Sequence, residues 1–171
     1  MPLSILRYPL SVADSAGARS VEQVSDAATA VAELFYAAVH SIDSAVYSKA
    51  QQHAWAPYPI DYAKWQQRLA LKKPWLAFAD SQLCGFIELD ADGHIDCLYV
   101  HPQHQGCGVA RALYQQLEQQ AKLQGISRLT VEASKLAQPF FRQQGFNTLW
   151  QNLVQRGEQQ LVNFSMEKYL A

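Results

Sequence analysis

The chain has 171 residues, a length typical of one domain. Hydrophobic residues make up 49% of it and charged residues 17%, which supports a packed core and excludes a disordered or collagen-like chain. Its 14 Lys and Arg residues against 15 Asp and Glu give a formal charge of -1, so no cationic excess indicates binding to nucleic acid or to an anionic membrane.

The sequence predicts neither a membrane span nor an exported protein. No run approaches the ~20 apolar residues that cross a bilayer, since even the Ala-rich stretch 27–39 contains Glu33. The first residues lack the basic segment of a signal peptide. The cysteines, Cys84, Cys97 and Cys107, are odd in number and show no C-x-x-C spacing, which fits neither a disulfide scaffold nor a zinc site. We therefore expect a cytoplasmic protein without a bound metal.

The start of the chain reads as an N-terminal extension, residues 1–18, ahead of one domain formed by residues 19–171. Within the extension, residues 3–8 are able to pair as a strand. A second short strand is expected at the start of the domain, at residues 19–24.

Three helices are predicted next. Apolar residues recur at three- and four-residue steps from 26 to about 41, which is helix periodicity, and Ser25 is available as the N-cap. Ser48 is expected to cap a short helix through residue 54, and Asp61 another that runs to about residue 72.

Short apolar runs then predict a sheet. Asp80 and Ser81 separate two of these runs as a hairpin turn, and the Asp92-Gly93 turn precedes a strand at residues 95–100. After Gly108 a helix is expected to residue 124, and the strand at 128–132 must lie parallel to the strand at 95–100, because the helix between them reverses the chain.

The end of the chain is predicted as a helix followed by two strands. Ser134 is the expected cap of the helix, which ends at Gly145, and the strands at 146–154 and 160–168 form the closing hairpin. The pattern as a whole indicates an α/β protein with a mixed, mostly antiparallel sheet.

The segment from Val100 to Arg111 lies between a strand and a helix and carries the most chemical information. Glycines at 106 and 108 let the backbone turn so that amide groups converge on an anion, at the positive end of the helix dipole. The segment has neither the Gly-Lys-Ser/Thr of a Walker loop nor the third glycine of a Rossmann fingerprint. It reads either as a phosphate cradle of another kind or as an ordinary tight turn.

Two blocks of sequence resemble the GNAT superfamily of N-acetyltransferases. The first is similar to its acyl-CoA loop, V-x-P, two residues, then Gln/Arg-x-x-Gly-x-Gly/Ala, which is matched by Val100, Pro102, Gln105, Gly108 and Ala110. The second, residues 129–146, is similar to its strand and helix of the form A-x-x-F-Y-x-x-x-G-F, with Ala137, Phe140, Phe141, Gly145 and Phe146 at the pattern positions. The resemblance covers residue 19 to the C-terminus and implies a mixed sheet, flanked by helices, in which two central parallel strands splay apart.

The resemblance implies that acetyl-CoA is the cosubstrate. Loop amides would hold the pyrophosphate, main-chain groups of the preceding strand would pair with pantetheine, and residues of the second block would contact the cofactor arm. The loop amides are those of Gln105, Gly106, Cys107, Gly108, Val109, Ala110 and Arg111. The strand residues are Leu98, Tyr99 and Val100, and the residues of the second block are Ser134, Phe140 and Phe141.

One position departs from the family. Phe141 stands where the family commonly has a Tyr that protonates the departing CoA thiolate. A free thiol has a pKa near ~8.5, so the thiolate leaves tolerably without a dedicated acid. Tyr99 or a water could take over the role.

Attack on the thioester requires a neutral amine, whereas an alkylammonium titrates near ~10.4, so a general base is expected. The candidates are Asp96, His94 and Glu88, of which Asp96 is favoured, directly or through a water. Asp96 and His94 project to one side of their strand by alternation, although a bulge would change which side chain faces inward. A backbone N–H near Tyr99 or Val100 would stabilise the oxyanion.

The resemblance implies that the first two helices select the substrate. Aromatic and histidine side chains there could line an apolar or cation-binding pocket, and each could equally be a core residue: Phe35, Tyr36, His40, Tyr47, His53, Trp55 and Tyr58. The expected activity is acetyl transfer to a primary amine of a small molecule, or of a peptide, by direct attack in a ternary complex, with the protein a monomer or homodimer. The alternatives are a non-catalytic acyl-CoA-binding or sensing module and a protein-interaction domain that holds no ligand.

Overall fold

A computed structural model describes residues 2–10 and 22–171 of the chain. Its strands are β1 (Leu3–Arg7), β2 (Trp75–Ala79), β3 (Gln82–Leu89), β4 (His94–Val100), β5 (Arg128–Ser134), β6 (Asn147–Arg156) and β7 (Gln159–Tyr169). Its α-helices are α1 (Glu22–His40), α2 (Lys49–Trp55), α3 (Tyr62–Lys72), α4 (Val109–Leu123) and α5 (Gln138–Gln143).

The strands form one sheet in the order β1-β2-β3-β4-β5-β7-β6. Every neighbouring pair is antiparallel except β4 and β5, which are parallel. The predicted fold class, a mixed and mostly antiparallel sheet flanked by helices, is confirmed. None of the helices in the described residues is both long and apolar enough to cross a membrane.

Helix and turn signals placed most elements correctly. Ser48 caps α2 through a capping box with Gln51, and the Asp61 carboxylate caps α3 by accepting from the backbone of Lys64. Asp80 and Ser81 form the β2–β3 turn with φ of 45° and 70°, as a two-residue hairpin turn requires.

Three predictions are wrong where the structure describes the residues. Residues 22–24 belong to α1 rather than to a strand, and Ser25 lies inside that helix instead of capping it, because the helix begins at Glu22. Ser134 ends β5, and its hydroxyl accepts from the backbone of Ala137, closing the turn before α5 rather than capping the helix. The boundary expected between residues 18 and 19 lies outside the described residues.

The parallel strands β4 and β5 splay apart, as the resemblance implied. They pair only at His94 with Thr130 and at Ile95 with Val131, although β4 continues to Val100 and β5 to Ser134. Beyond Ile95 the two strands diverge and leave a cleft.

A bulge in β4 sets which side chains face α3. Leu98 pairs with Ile87 and Ile95 with Leu89, so two residues of β4, Asp96 and Cys97, lie opposite the single residue 88 of β3. Arg68 of α3 hydrogen bonds with both Asp96 and Cys97, so both side chains point to the same face of the sheet.

The sheet separates two apolar cores. One is built around the buried stripe of α4, Leu113, Tyr114, Leu117 and Ala121. The other packs α1 and α3 against β2 and β3. Each core fixes one wall of the region around the end of β4.

Candidate active site

The loop between β4 and α4 presents a row of backbone amides. One turn of 3-10 helix, Pro102–His104, is followed by Gly106 and Gly108, which have φ of 75° and 82°. Gly108 is the N-cap of α4, and the N–H groups of residues 109–111 find no acceptor among the described residues. A Cβ on either glycine would have no atom within 4 Å. The amides therefore lack a protein acceptor at the positive end of the α4 dipole, and open space lies beside the two glycines.

The cleft between the splayed strands continues from this loop. It holds a cavity of about 470 Å³. Beyond Ile95, the edge of β4 facing β5 pairs with no strand of the described residues, so its peptide groups are free to meet an extended ligand. The cavity brings together seven of the residues that the resemblance assigned to the cofactor: Leu98, Tyr99, Val100, Gln105, Ala110, Ser134 and Phe140.

Phe141 lies in the core rather than in the cleft. Its side chain is 1% exposed and contacts the rings of Tyr114, Phe140 and Phe146. A phenyl ring has no hydroxyl that needs a polar partner, so complete burial stabilises it. Phe140, one residue earlier, is the ring that lines the cleft.

Two further cavities adjoin the cleft at Trp55 and Tyr99, which line all three. The first, of about 430 Å³, lies among α1, α3 and β4, and we call it the helix-side cavity. The second, of about 270 Å³, lies among α2, β5 and the β6–β7 hairpin, and we call it the hairpin-side cavity. Asp96 and Arg156 line both of these cavities.

Tyr99 lines all three cavities, and its hydroxyl is hydrogen bonded. It accepts a hydrogen bond of 3.1 Å from Nε1 of Trp55. An indole nitrogen only donates, so the phenol keeps its own hydrogen for another acceptor. Burial raises the pKa of Tyr99 well above its usual value, so the group stays protonated at neutral pH.

The aromatic residues predicted for the substrate divide into two groups. Phe35, Tyr36 and Trp55 line the helix-side cavity, and Tyr47 lines the hairpin-side cavity. The others line none of the three cavities. The His40 ring stacks on Tyr36 and its Nε2 hydrogen bonds with the Ala56 carbonyl at 2.8 Å, while Tyr58 and His53 are exposed.

A network of ion pairs borders the helix-side cavity. The buried Glu88 receives two hydrogen bonds from Arg68, of 2.6 and 3.0 Å, and Arg68 also reaches Asp96 at 2.7 Å. Lys72 contacts the same Asp96 carboxylate at 3.0 Å. Burial alone would raise the pKa of Asp96, but Lys72 and Arg68 lower it below its usual value. Burial raises the pKa of Glu88 in spite of Arg68, and Glu88 lines none of the three cavities.

His94 lies at the far end of this network. Its Nε2 hydrogen bonds with the Glu132 carboxylate, and its Nδ1 is 3.5 Å from Asp90. Burial would lower the pKa of His94, but the carboxylates of Glu132 and Asp90 raise it. A raised pKa leaves a smaller fraction of the imidazole unprotonated at neutral pH, and only the unprotonated ring accepts a proton.

Sequence reasoning missed three cations of the site. Arg68 and Lys72 are four residues apart on α3 and so share one helix face, a spacing that could have indicated a common acidic partner. No sequence signal marks Arg156, which ends β6 beside the hairpin turn. Within the described residues, no cluster of His, Cys, Asp and Glu could hold a metal ion.

Comparisons with known proteins agree with one another. Residues 43–170 match the family model of the acetyltransferase (GNAT) domain. The chain is 38% identical, over 133 residues, to the uncharacterized N-acetyltransferase YafP of Escherichia coli K12. The aligned region covers 78% of this chain and 83% of that protein.

Solved structures with the same fold include a GCN5-related N-acetyltransferase from Rhodopseudomonas palustris. It is 32% identical, with a TM-score of 0.83, over 98% of this chain and 95% of that one. The PaiA N-acetyltransferase from Thermoplasma acidophilum, solved in complex with coenzyme A, is 20% identical with a TM-score of 0.72, over 99% and 100% of the two chains.

Proposed function

The chain belongs to the GNAT family of acetyltransferases, and on that premise we propose that it transfers the acetyl group of acetyl-CoA to a primary amine of a small molecule, or of a peptide, in a ternary complex. A cytoplasmic location and a monomeric or homodimeric state stay predictions. The observation that carries the proposal is that the free amides at the start of α4 lead directly into the unpaired edge of β4. A diphosphate joined to an extended, amide-bearing arm is a ligand that needs both features in this order.

The residues of the loop and of β4 fit this cosubstrate. The amides of residues 109–111 would hold the diphosphate, and the open space at Gly106 and Gly108 leaves room for it. Main-chain groups of Leu98, Tyr99 and Val100 would align the pantetheine arm as an added strand does. Bound acetyl-CoA would supply an activated thioester, and the cleft that would hold it adjoins the two other cavities at Trp55 and Tyr99.

We assign acceptance of the amine proton to Asp96, directly or through a water. Asp96 is the carboxylate that lines both cavities beyond the cleft. Its lowered pKa makes it a weak base, but Arg68 also lines the helix-side cavity and would lower the pKa of a bound ammonium group. His94 is less suited because it lines none of the three cavities and its ring is hydrogen bonded to Glu132, and Glu88 acts by holding Arg68.

We assign protonation of the departing thiolate to Tyr99. Its hydroxyl is protonated and has a free hydrogen, whereas Phe141 offers no hydroxyl and lies in the core. In the balanced step, the amine nitrogen bonds to the acetyl carbon as the carbon–sulfur bond breaks. By then Asp96 has taken one proton from the bound ammonium. Tyr99 gives its proton to sulfur, and the second N–H proton of the amine restores the Tyr99 hydroxyl.

Two measurements on the full chain test the proposal. Titration calorimetry with acetyl-CoA and with CoA is expected to show binding. Incubation of acetyl-CoA with a broad panel of amines is expected to release free thiol, together with a product heavier by one acetyl group. Binding without turnover would favour the acyl-CoA-binding module, the alternative that Phe141 in place of the family's Tyr suggests. Absence of binding would contradict both readings.

A further inference from the structure

We propose that the acceptor of this enzyme carries an anionic group, a carboxylate or a phosphate, which binds to Arg156 with support from Lys64 while its amine is directed to Asp96. The inference rests on the proposed function and names the substrate class of the same site. It comes from the charges that line the two cavities beyond the cofactor cleft.

In the helix-side cavity, the charged groups do not cancel. Its lining includes two carboxylates, Asp61 and Asp96, and three cations, Lys64, Arg68 and Arg156. Asp61 caps α3, and Asp96 is bonded to Arg68. The side chains of Lys64 and Arg156 contact no carboxylate in the part of the chain that the structure describes. The lining therefore carries one net positive charge, and Lys64 and Arg156 are its two cations without a carboxylate partner among the described residues.

In the hairpin-side cavity, Arg156 is again the charged residue without a partner among the described residues. Its charged lining consists of Asp96, Glu132 and Arg156. Glu132 is hydrogen bonded to His94, and Asp96 to Arg68. Arg156 is not among the residues that line the cofactor cleft, so the CoA-binding features do not account for it. A planar guanidinium with free N–H groups favours carboxylate and phosphate oxygens, which it binds in pairs.

The hairpin that carries Arg156 is held in place by α2 and the segment before it. Nε2 of Gln51 donates to the Gln160 carbonyl at 2.8 Å, and the Tyr47 hydroxyl donates to the Val162 carbonyl at 2.6 Å. Arg156 pairs in register with Gln159, next to the first of these anchors. Its backbone is thus positioned before any ligand arrives, which reduces the entropy lost on binding.

Apolar side chains line part of the same cavity. Rings of Phe35, Tyr36, Trp55 and Trp65 line the helix-side cavity together with Pro57 and Pro59. An acceptor that fits has an amine at one end, an acidic group at the other, and an aromatic or alkyl body between them.

Matched pairs of amines test this inference. The first pair is 4-(aminomethyl)benzoate and benzylamine, and the second is 2-aminoethyl phosphate and ethanolamine, so that the two arms distinguish carboxylate from phosphate. In at least one arm we expect kcat/KM for the acidic amine to exceed that of its neutral partner by about tenfold or more, as a charged hydrogen-bonded pair provides. Equal values within both pairs would overturn the proposal.

Substitution of Arg156 assigns the preference to its side chain. Arg156→Gln is expected to remove about tenfold or more from kcat/KM of the acidic amine, and to leave the neutral amine within about twofold. Arg142→Gln is the matched control, since Arg142 is exposed and lines none of the three cavities. Equal losses for both amines in Arg156→Gln would contradict the proposal, because a general disturbance of the hairpin affects both.

Failure of the proposed function gives a different result. If no amine is acetylated, calorimetry of 4-(aminomethyl)benzoate and 2-aminoethyl phosphate into the CoA-saturated protein still reports on the anion site. Binding that Arg156→Gln abolishes would support that site without catalysis. Absence of binding to the unsubstituted protein would overturn it.

Discussion

The hydroxyl of Tyr99 is a single oxygen atom on which the proposed proton route to sulfur depends. Tyr99→Phe keeps the ring between the three cavities and removes that oxygen. We expect kcat to fall by about 10- to 100-fold, near the lower end of the range for general acid catalysis, because the thiolate then leaves without a donor. CoA affinity should change little, since the resemblance places the main chain of Tyr99, rather than its hydroxyl, against the cofactor arm.

Steady-state kinetics at saturating acetyl-CoA measure the effect of Tyr99→Phe, with calorimetry for affinity. Tyr169→Phe is a matched control, because Tyr169 is 68% exposed and lies at the end of β7. An unchanged kcat in Tyr99→Phe would contradict the assignment and leave the proton to a water.

Asp96 is assigned to accept the proton of the amine. That role predicts that the loss of kcat/KM in Asp96→Asn depends on pH. Asp96→Asn should lower kcat/KM at neutral pH by about 10- to 100-fold. The deficit should shrink as pH rises toward the pKa of the amine, near ~10 for an alkylamine, because the fraction already neutral then grows and needs no base.

Profiles of kcat/KM between about pH 6 and about pH 10 test the Asp96 assignment. Asp80→Asn, in the exposed β2–β3 turn, is the control for loss of one carboxylate. A deficit in Asp96→Asn that is constant across the range would indicate that the carboxylate serves to position Arg68 and Lys72 rather than to accept a proton.

At the scale of elements, the start of α4 and the loop before it act as one unit. Gly108 is the N-cap, with φ of 82° and open space where a side chain would begin. Gly108→Val would strain the backbone and place a branched side chain in the space assigned to the diphosphate. We expect affinity for CoA to fall by about 100-fold or more, a loss of roughly 3 kcal/mol.

The other end of α4 provides the matched control for backbone strain. Gly125 also has a positive φ, of 73°, and open space around its Cβ position. Gly125→Val should lower the free energy of unfolding by a similar amount, of the order of 1–3 kcal/mol, and leave CoA affinity unchanged. Calorimetry and urea denaturation of both variants separate the two effects, and equal affinity losses would contradict the cradle.

Across the whole molecule, the features that local sequence signals predicted correctly are those set by residues close together in the chain. Caps such as Ser48 and Asp61 involve residues within one turn, so the helices α2 and α3 were predicted correctly. The two-block resemblance to the GNAT superfamily is confirmed by the family match, and it supplied the splayed strands that periodicity does not reveal. Contacts between distant segments left no such signal.

Arg156 is the main example of a distant contact. Its hairpin reaches the site through the Gln51–Gln160 bond, which joins residues 109 apart in sequence. The Ser134 error has a related origin, because the same hydroxyl-to-amide bond that caps a helix also closes a turn, and only the path of the chain after β5 distinguishes the two.

A last prediction concerns the stability of the whole fold. Glu118 of α4 joins the helix layer to the sheet through Lys168 of β7, at 2.8 Å, and also contacts Lys122. Burial would raise the pKa of Glu118, but hydrogen bonds from Lys122, Lys168 and Tyr114 lower it to about 2. A carboxyl group with a depressed folded-state pKa stabilises the protein above its unfolded pKa, near ~4.3, and loses that contribution as pH falls toward the folded value.

Glu118→Gln should therefore lower the free energy of unfolding by about 1–3 kcal/mol at neutral pH, because two lysines lose their partner. The difference in unfolding free energy from the unsubstituted protein should fade between about pH 5 and about pH 2. Over this range Glu118 takes up a proton in the unfolded chain first and in the folded protein only at the lower end. Urea denaturation at several pH values measures it. Glu158→Gln, an exposed carboxylate of the β6–β7 turn, should show little difference at any pH. If the Glu118→Gln difference stayed constant down to the lowest pH, the loss would come from packing rather than charge, and the link between α4 and β7 would not be electrostatic.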